Sequence, residues 1–558
     1  MLTGGIMDSP KWVPSPEVIA YANLTDAIHE RRLTSYDEFY EWSRSDRAGF
    51  WGYTAQRLGI VMAQPPSAAL ATDRPPEHAV WFPGARINIA ESCFTADPTK
   101  EAIRYERDGR LHSMTYGEMR NQANRVANGL TDIGIGEGDP VAIAMPMTVE
   151  AVIAYLGVLL TGAVVVSIAD SFAPHEIATR LRISGADLVI TQDVIHRGNR
   201  MLPMYEKLVA AGVERAIVVQ TGVDLELRTT DIYWNGFLSE VTEFSPVYRT
   251  ASDHANLLFS SGTTGDPKAI PWTIGSAIKA ASDAHYHQDV HPDDVVAWPT
   301  NLGWMMGPWL IFSSFINRAT MALSQEVPTS TAFIKFVAAA GVTVLGVVPS
   351  LVAAWRAGNA HETAEWSGIR VLSSTGEAAN AADMAYLMDM AGNKPIIDYI
   401  GGTEISGGYM ACTVLHPCLP ATFTTPTLGG GIHILDEYGK PAASGELFIE
   451  PPSLGLSVEL LNRDHHEVYY AGTPDIGVPL RRHGDHIERI GKGRFRTTGR
   501  VDDAMNLGGI KVGSADIERV VAGTPGLVEA AAIAVAPVGG GPSRLVMCVV
   551  AERGVDVV

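Results

Sequence analysis

Residues 141–168 read VAIAMPMTVEAVIAYLGVLLTGAVVVSI. The fold turns on whether this run crosses a membrane or folds into a sheet. The uncharged run that overlaps it, Ala151–Ala169, is 19 residues long, close to the ~20 apolar residues a membrane helix needs. Two glycines, Gly157 and Gly162, and the β-branched run Val164-Val165-Val166 instead predict a helix, a turn and a buried strand. Upstream, Thr115-Tyr116-Gly117-Glu118 is a capping box, and Met119, Ala123, Val126, Leu130 and Ile133 recur at helical spacing. A glycine-rich turn (Gly134, Gly136, Gly138) then leads into a strand at Val141–Met145. Downstream, Pro174–Ser184 reads as a helix and Asp187–Thr191 as a strand; Ala332–Ala340, Val342–Val348 and Ser350–Ala357 repeat the helix–strand–helix order. Alternation of this kind predicts an α/β fold with a largely parallel sheet covered on both faces.

The texture changes near Gly429. Short strands, Gly431–Leu435 and Gly445–Ile449, and many Gly and Pro turns predict a β-rich subdomain. Composition narrows the function classes. The chain of 558 residues carries 42 Lys and Arg against 62 Asp and Glu, a net charge of −20. That balance argues against a sequence-independent nucleic-acid binder, which needs clustered cations. Four cysteines, Cys93, Cys412, Cys418 and Cys548, are too few for a disulfide framework and fit a reducing compartment such as the cytoplasm.

The most informative stretch is Ser260-Ser261-Gly262-Thr263-Thr264-Gly265-Asp266-Pro267-Lys268, after an apolar strand at Leu257–Phe259. Glycines let backbone N–H groups approach a phosphate, and hydroxyls with an ammonium complete an anion cradle. The loop lacks the Gly-Lys-Ser/Thr ending of a Walker A motif. It resembles the nucleotide-binding signature of the adenylate-forming enzymes: acyl-CoA synthetases, nonribosomal-peptide adenylation domains and luciferases. Further similar segments follow in order. Ser374-Thr375-Gly376-Glu377-Ala378 resembles the adenine-binding turn, with Ala378 where proline is common. Tyr399-Ile400-Gly401-Gly402-Thr403-Glu404 resembles the motif facing the phosphates and Mg²⁺, and Gly484-Asp485 the ribose-binding segment. Thr498-Gly499-Arg500-Val501-Asp502-Asp503 and Asn506-Leu507-Gly508-Gly509-Ile510-Lys511 resemble the interdomain hinge and the loop after it.

Tyr40-Glu41-Trp42-Ser43 and Trp81-Phe82-Pro83-Gly84-Ala85-Arg86-Ile87-Asn88 resemble acetyl- and acetoacetyl-CoA synthetases. Leu461–Tyr469 and Leu480–Asp485 look closest to the plant peroxisomal acyl-activating branch. The resemblance implies a large adenylation domain over 1–500 of mixed, largely parallel sheets covered by helices. It includes an N-terminal extension over about 30–95 and the β-rich subdomain over about 429–500. A small α+β C-terminal domain, 501–558, is expected to be present only in part. The implied activity is an ATP-dependent ligase that joins a carboxylic acid to coenzyme A through an acyl adenylate. Ser260, Ser261, Gly262, Thr263 and Gly265 would cradle phosphate, Thr264 and Lys268 would hold the β/γ-phosphates, and Thr403 the α-phosphate. Glu404 would bind Mg²⁺, a hard ion that favours oxygen ligands. Gly376, Glu377, Ala378 and Gly402 would shape the nucleotide pocket, Asp485 would accept from the ribose hydroxyls, and Arg500 would support the nucleotide. Asp502 matches the hinge, Gly508 and Gly509 the coenzyme A approach, and Lys511 a basic position toward the phosphates.

Acetyl-specific relatives place a Trp three residues before the motif's glutamate; here that position is Gly401, which predicts a substrate larger than acetate. Trp304, Met305, Met306 and Val348 would line the same pocket. The family's late adenylation lysine has no counterpart after Lys511, so impaired adenylation is expected of residues 1–558 alone, whether the sequence is trimmed or omits a tail. A relative that binds nucleotide or acyl groups without catalysis is the competing reading. Expected partners are a small carboxylic acid, with self-association left open; neither nucleic acid nor membrane is expected. Cys412, His416 and Cys418 lack a fourth ligand at zinc spacing. The histidines of Asp283–His291 and His465-His466 read as solvated loop residues, with a place lining the substrate side as the alternative.

Overall fold

The computed structural model describes residues 9–198, 200–260, 265–491 and 493–500, the strand segments 504–507 and 510–513, and beyond these 517, 521, 524, 526–535, 537 and 543–551. Residues 141–168 resolve as expected. Pro140–Ala144 and Val164–Ile168 are neighbouring parallel strands, and Val149–Leu160 is the helix between them. Thr148 starts that helix by accepting from the Ala151 backbone N–H, and Gly162 ends it with φ +75°. Among the described residues no helix is long and apolar enough to cross a membrane.

Two large sheets carry the fold. The seven-stranded sheet runs, edge to edge, Lys268–Thr273, His254–Ser260, Val164–Ile168, Pro140–Ala144, Leu188–Gln192, Arg215–Val219 and Ile232–Tyr233; only the first strand is antiparallel. The nine-stranded sheet has a parallel centre of Ile396–Gly402, Val371–Ser374, Val344–Val347, Val295–Ala297, Thr320–Leu323 and Glu101–Arg107. Antiparallel strands flank it on both sides.

Strand alternation sorts the core. Val141 and Ile143 face a central cluster that they share with Val296, Val344 and Val371 of the other sheet and with helices Tyr116–Asp132, Val149–Leu160, Ile274–Tyr286 and Met306–Ile316. Ala142 and Ala144 face outward onto Ile177, Leu181 and Leu208. The opposite face of the nine-stranded sheet is covered by Phe333, Val337, Val352 and Leu387. Helices therefore fill the space between the sheets and coat both outer faces.

The β-rich region is a four-stranded antiparallel sheet, Gly431–Leu435, Ser444–Glu450, Arg481–Arg489 and Phe495–Arg500. Its core of Leu447, Ile449, Ile487 and Phe495 meets Ile405, Tyr409 and Met410 beside the nine-stranded sheet. Further along, Leu527–Val535 pairs antiparallel with Arg544–Ala551. One apolar position was misread: Ile133 is the C-cap of its helix and is exposed, because the helical stripe ends at Leu130.

Candidate functional site

Ser260 and Lys268 face each other at the base of the phosphate hairpin. Ser261, Gly262, Thr263 and Thr264 lie outside the described residues. Gly265 has φ +86°, a left-handed backbone that a side chain would strain. A brace from residues 461–463 holds the descending limb. Asn462 accepts from the Ala269 N–H at 2.9 Å and donates to Pro267 O at 2.8 Å, while Arg463 donates to Asp266 O at 2.7 Å. An open cleft of about 420 Å³ lies against this brace, lined by Arg182, Gly265, Asp266 and Arg463 among others. At the base, the buried Ser260 hydroxyl has no hydrogen-bond partner among the described residues.

Strand Ile396–Gly402 delivers the second motif, with Thr403–Ile405 as one 3₁₀ turn at its end. Trp272, on the strand that Lys268 begins, donates from Nε1 to Thr403 O at 2.7 Å and so ties this turn to the hairpin. Glu404 is buried rather than solvated, at 5% exposure. Its Oε1 lies 3.7 Å from His483 Nδ1, and His483 Nε2 lies 3.5 Å from Asp485 Oδ2. Asp485 also accepts from the Tyr409 hydroxyl at 2.6 Å. The glutamate and aspartate expected at opposite ends of a nucleotide thus flank one histidine. A Cβ on Gly402 would stand 2.7 Å from His483 Cε1 and 2.9 Å from Glu404 Oε2, so only glycine lets this trio close.

The other expected residues sort differently. Gly376 has φ +94° and would bring a Cβ to 3.5 Å from Val348 Cγ1, which puts Val348 beside the adenine-type turn with Ala378 two residues on. Glu377 accepts from the Ser350 N–H at 2.7 Å and its hydroxyl at 3.0 Å, capping helix Pro349–Ala357. Trp304 stacks edge-on against Phe172 with ring centroids 5.6 Å apart, Met305 precedes helix Met306–Ile316, and Met306 belongs to the central core. Gly401 does not face open space. A Cβ there would sit 1.9 Å from Gly407 O, because the strand shifts register at this point against Gly407–Ala411. Its glycine serves close strand packing before it serves pocket volume. Arg500 stands opposite Asp485 in register, and Lys511 lies on strand Ile510–Gly513. Asp502, Gly508 and Gly509 lie outside the described residues.

The solvated reading of the histidines is corrected. His287 and His291 are buried and His285 is half-buried, because the N-terminal helices and residues 412–428 close over the end of helix Ile274–Tyr286. Burial pushes the His285 imidazole down to about 3 and that of His287 down to about 4. His465 is buried too; only His466 is exposed, on Glu77. Cys412 and Cys418 donate their thiols to separate carbonyls, Thr422 O and Ile396 O.

Sequence reasoning missed a buried network beneath the second motif. Asp283 accepts from Lys279 Nζ at 2.6 Å, from the Tyr399 hydroxyl at 2.5 Å and from the Gly408 N–H at 2.9 Å. It anchors both strands of the hairpin that presents Thr403 and Glu404. The available signal was a Lys–Asp pair four residues apart on an otherwise apolar helix.

The AMP-binding enzyme family matches residues 91–456, well over half of the chain. The chain belongs to that family. In this AMP-binding enzyme the segment 36–93 also matches the acetyl-coenzyme A synthetase N-terminus. It is 43% identical to "Probable acyl-activating enzyme 17, peroxisomal" of Arabidopsis thaliana, over 97% of this chain and 80% of that one. It is 40% identical to the hexanoyl-CoA synthase of Cannabis sativa, over 98% and 81%. Its fold matches an acetoacetyl-CoA synthetase from Streptomyces lividans with a TM-score of 0.83 at 24% identity, over 98% of this chain and 88% of that one.

Proposed function

We propose that this protein is an ATP-dependent acid–CoA ligase whose acid is larger than acetate. The Trp272 bond that ties the Thr403–Glu404 turn to the Ser260–Lys268 hairpin, with His483 and Asp485 beside Glu404, carries the reading. Family membership and the hexanoyl-CoA synthase relative support it; Gly401 does not, since a Cβ there would meet Gly407 O, so the size preference rests on the relatives and on the adaptable Met305.

In the first half-reaction a carboxylate oxygen attacks the α-phosphorus of ATP and pyrophosphate leaves. The coenzyme A thiol then attacks the acyl carbon and AMP leaves. This chain's task is positioning and charge neutralisation. Lys268 and the hairpin amides hold the outer phosphates, Thr403 meets the α-phosphate, and Asp485 accepts from the ribose hydroxyls. Mg²⁺ fits the donor set, since Glu404 offers a buried hard oxygen beside the phosphates; when bound it would neutralise phosphate charge. Arg500 and Lys511 add positive charge to the nucleotide. Gly508 and Gly509 admit the thiol arm after rotation about Asp502, the boundary between a domain over 1–500 and one over 501–558. Cysteine usage supports a reducing compartment, the cytoplasm.

The experiment is a panel of carboxylic acids with ATP, Mg²⁺ and coenzyme A, following thioester and AMP. Acids of four to eight carbons or aryl acids are expected to exceed acetate in kcat/KM. A higher kcat/KM for acetate overturns the size preference, and no thioester from any acid overturns the ligase reading.

A further inference from the structure

Strand alternation places Arg481 on the same side of its strand as His483, two residues on, while Arg482 turns to Glu446 at 2.7 Å. Arg481 is wholly buried, at 0% exposure. Its Nη2 donates to Ser457 Oγ at 2.7 Å, and its Nε and Nη1 are buried without a hydrogen-bond partner among the described residues. The guanidinium lies over the Tyr469 ring, 4.1 Å from the centroid, and beside the Tyr470 hydroxyl. Neither neighbour carries a negative charge. Among the described residues no carboxylate forms an ion pair with Arg481. Glu77, the acid of this neighbourhood, is taken by His466 at 2.9 Å and by His465 at 3.6 Å.

A buried guanidinium with two unmet donors is costly unless an anion arrives to meet them. The surroundings say which anion. Lys268 Nζ lies 5.3 Å from the centroid of the same Tyr469 ring, so two cations share one aromatic side chain at the base of the phosphate hairpin. Ser457, the residue Arg481 holds, donates its backbone N–H to Glu404 O at 2.8 Å. Arg481 therefore stands between the phosphate hairpin and the glutamate motif.

We propose that Arg481 is an additional binding group for the polyphosphate end of the nucleotide, its Nε and Nη1 donating to phosphoryl oxygens that Lys268 also neutralises. The fork geometry of guanidinium suits adjacent phosphoryl oxygens better than an ammonium does. This inference rests on the adenylation reading only for the orientation of the nucleotide.

The test is calorimetric titration of the full chain with sodium pyrophosphate, AMP and hexanoate, for wild type, Arg481→Met and Arg481→Lys, with melting temperatures as the check of folding. Arg481→Met is expected to weaken pyrophosphate by about ten-fold or more while AMP stays within about two-fold. Arg481→Lys, which keeps the charge without the fork, is expected to fall between; it carries the comparison if the Met variant does not fold. Equal pyrophosphate affinity in wild type and variants overturns the proposal, as does an equal loss for AMP and pyrophosphate. A loss confined to hexanoate overturns it in favour of a carboxylate site. Arg481-dependent pyrophosphate binding in a protein that makes no thioester from any acid would leave this assignment standing and remove the ligase reading.

Discussion

Lys279 and Arg481 are both cations with almost no exposure, at 1% and 0%, yet the protein treats them in opposite ways. Lys279 is paired: Asp283 stands 2.6 Å from its ammonium, with Thr427 Oγ1 at 3.2 Å. Arg481 has the Ser457 and Tyr470 hydroxyls, one aromatic face and two idle donors. Both lie near the same hairpin, so general crowding does not explain the difference. A charge that serves the fold is satisfied by the fold, whereas a charge held for a ligand stays partly unmet until the ligand binds.

The comparison breaks most visibly at Asp283. Burial lowers the Lys279 pKa and Asp283 opposes that shift. Asp283→Ala strands a buried ammonium and also removes the acceptor for Tyr399 and Gly408. Breaking a buried pair from one side costs about 3–5 kcal/mol, and urea unfolding should show a loss in that range. Replacing both partners, Lys279→Met with Asp283→Leu, should recover a good part of it. A loss below about 1 kcal/mol in Asp283→Ala would mean that the pair does not hold the hairpin.

A third buried charge sharpens the contrast, because it escapes the problem by protonation. Asp398, on the strand just before Tyr399, is fully buried, and burial pushes its carboxyl up to about 7 despite hydrogen bonds from the Ala421 and Thr422 backbone. The folded state then holds a proton that the unfolded state releases near pH 4. The associated stability is present below the unfolded value and is lost as pH rises to about 7. Between pH 5 and 8 wild type should lose about 2–3 kcal/mol through this group. Asp398→Asn mimics the protonated form and should not lose it. His287, held down at about 4 by burial, works in the opposite direction over pH 4 to 6.5 and is common to both proteins. Identical pH profiles for wild type and Asp398→Asn would remove Asp398 from the account.

How far these features were legible follows from the range of the forces behind them. The capping box at Thr115 and Glu118 was readable because its partners are three residues apart, with Thr115 N donating to Glu118 Oε2 at 2.8 Å. The uncharged run at 151–169 was readable as helix, turn and strand because glycine and β-branched residues act locally. The phosphate hairpin and the glutamate motif were visible as strings, but not the Trp272–Thr403 bond joining them across the fold. Gly401 was read for the absence of a side chain, and only the register shift revealed that Gly407 O fills that space. The histidines looked solvated because nothing local announces that residues 412–428 pack over them.

Arg481 was legible as a letter and not as a burial, since in Arg481-Arg482 the strand alone decides which cation goes inside. That choice leads to the smallest effect expected here. If Arg481 were a structural cation like Lys279, truncating it would cost several kcal/mol. If it is kept for a ligand, Arg481→Met in the nucleotide-free protein exchanges two unmet donors and one Ser457 bond for apolar packing against Tyr469. Such exchanges are near neutral. Urea unfolding without ligand should therefore place Arg481→Met within about 1 kcal/mol of wild type, while saturating pyrophosphate should stabilise wild type more than the variant. A loss of several kcal/mol in the absence of ligand, with equal stabilisation by pyrophosphate, would make the two cations alike and erase the distinction between them.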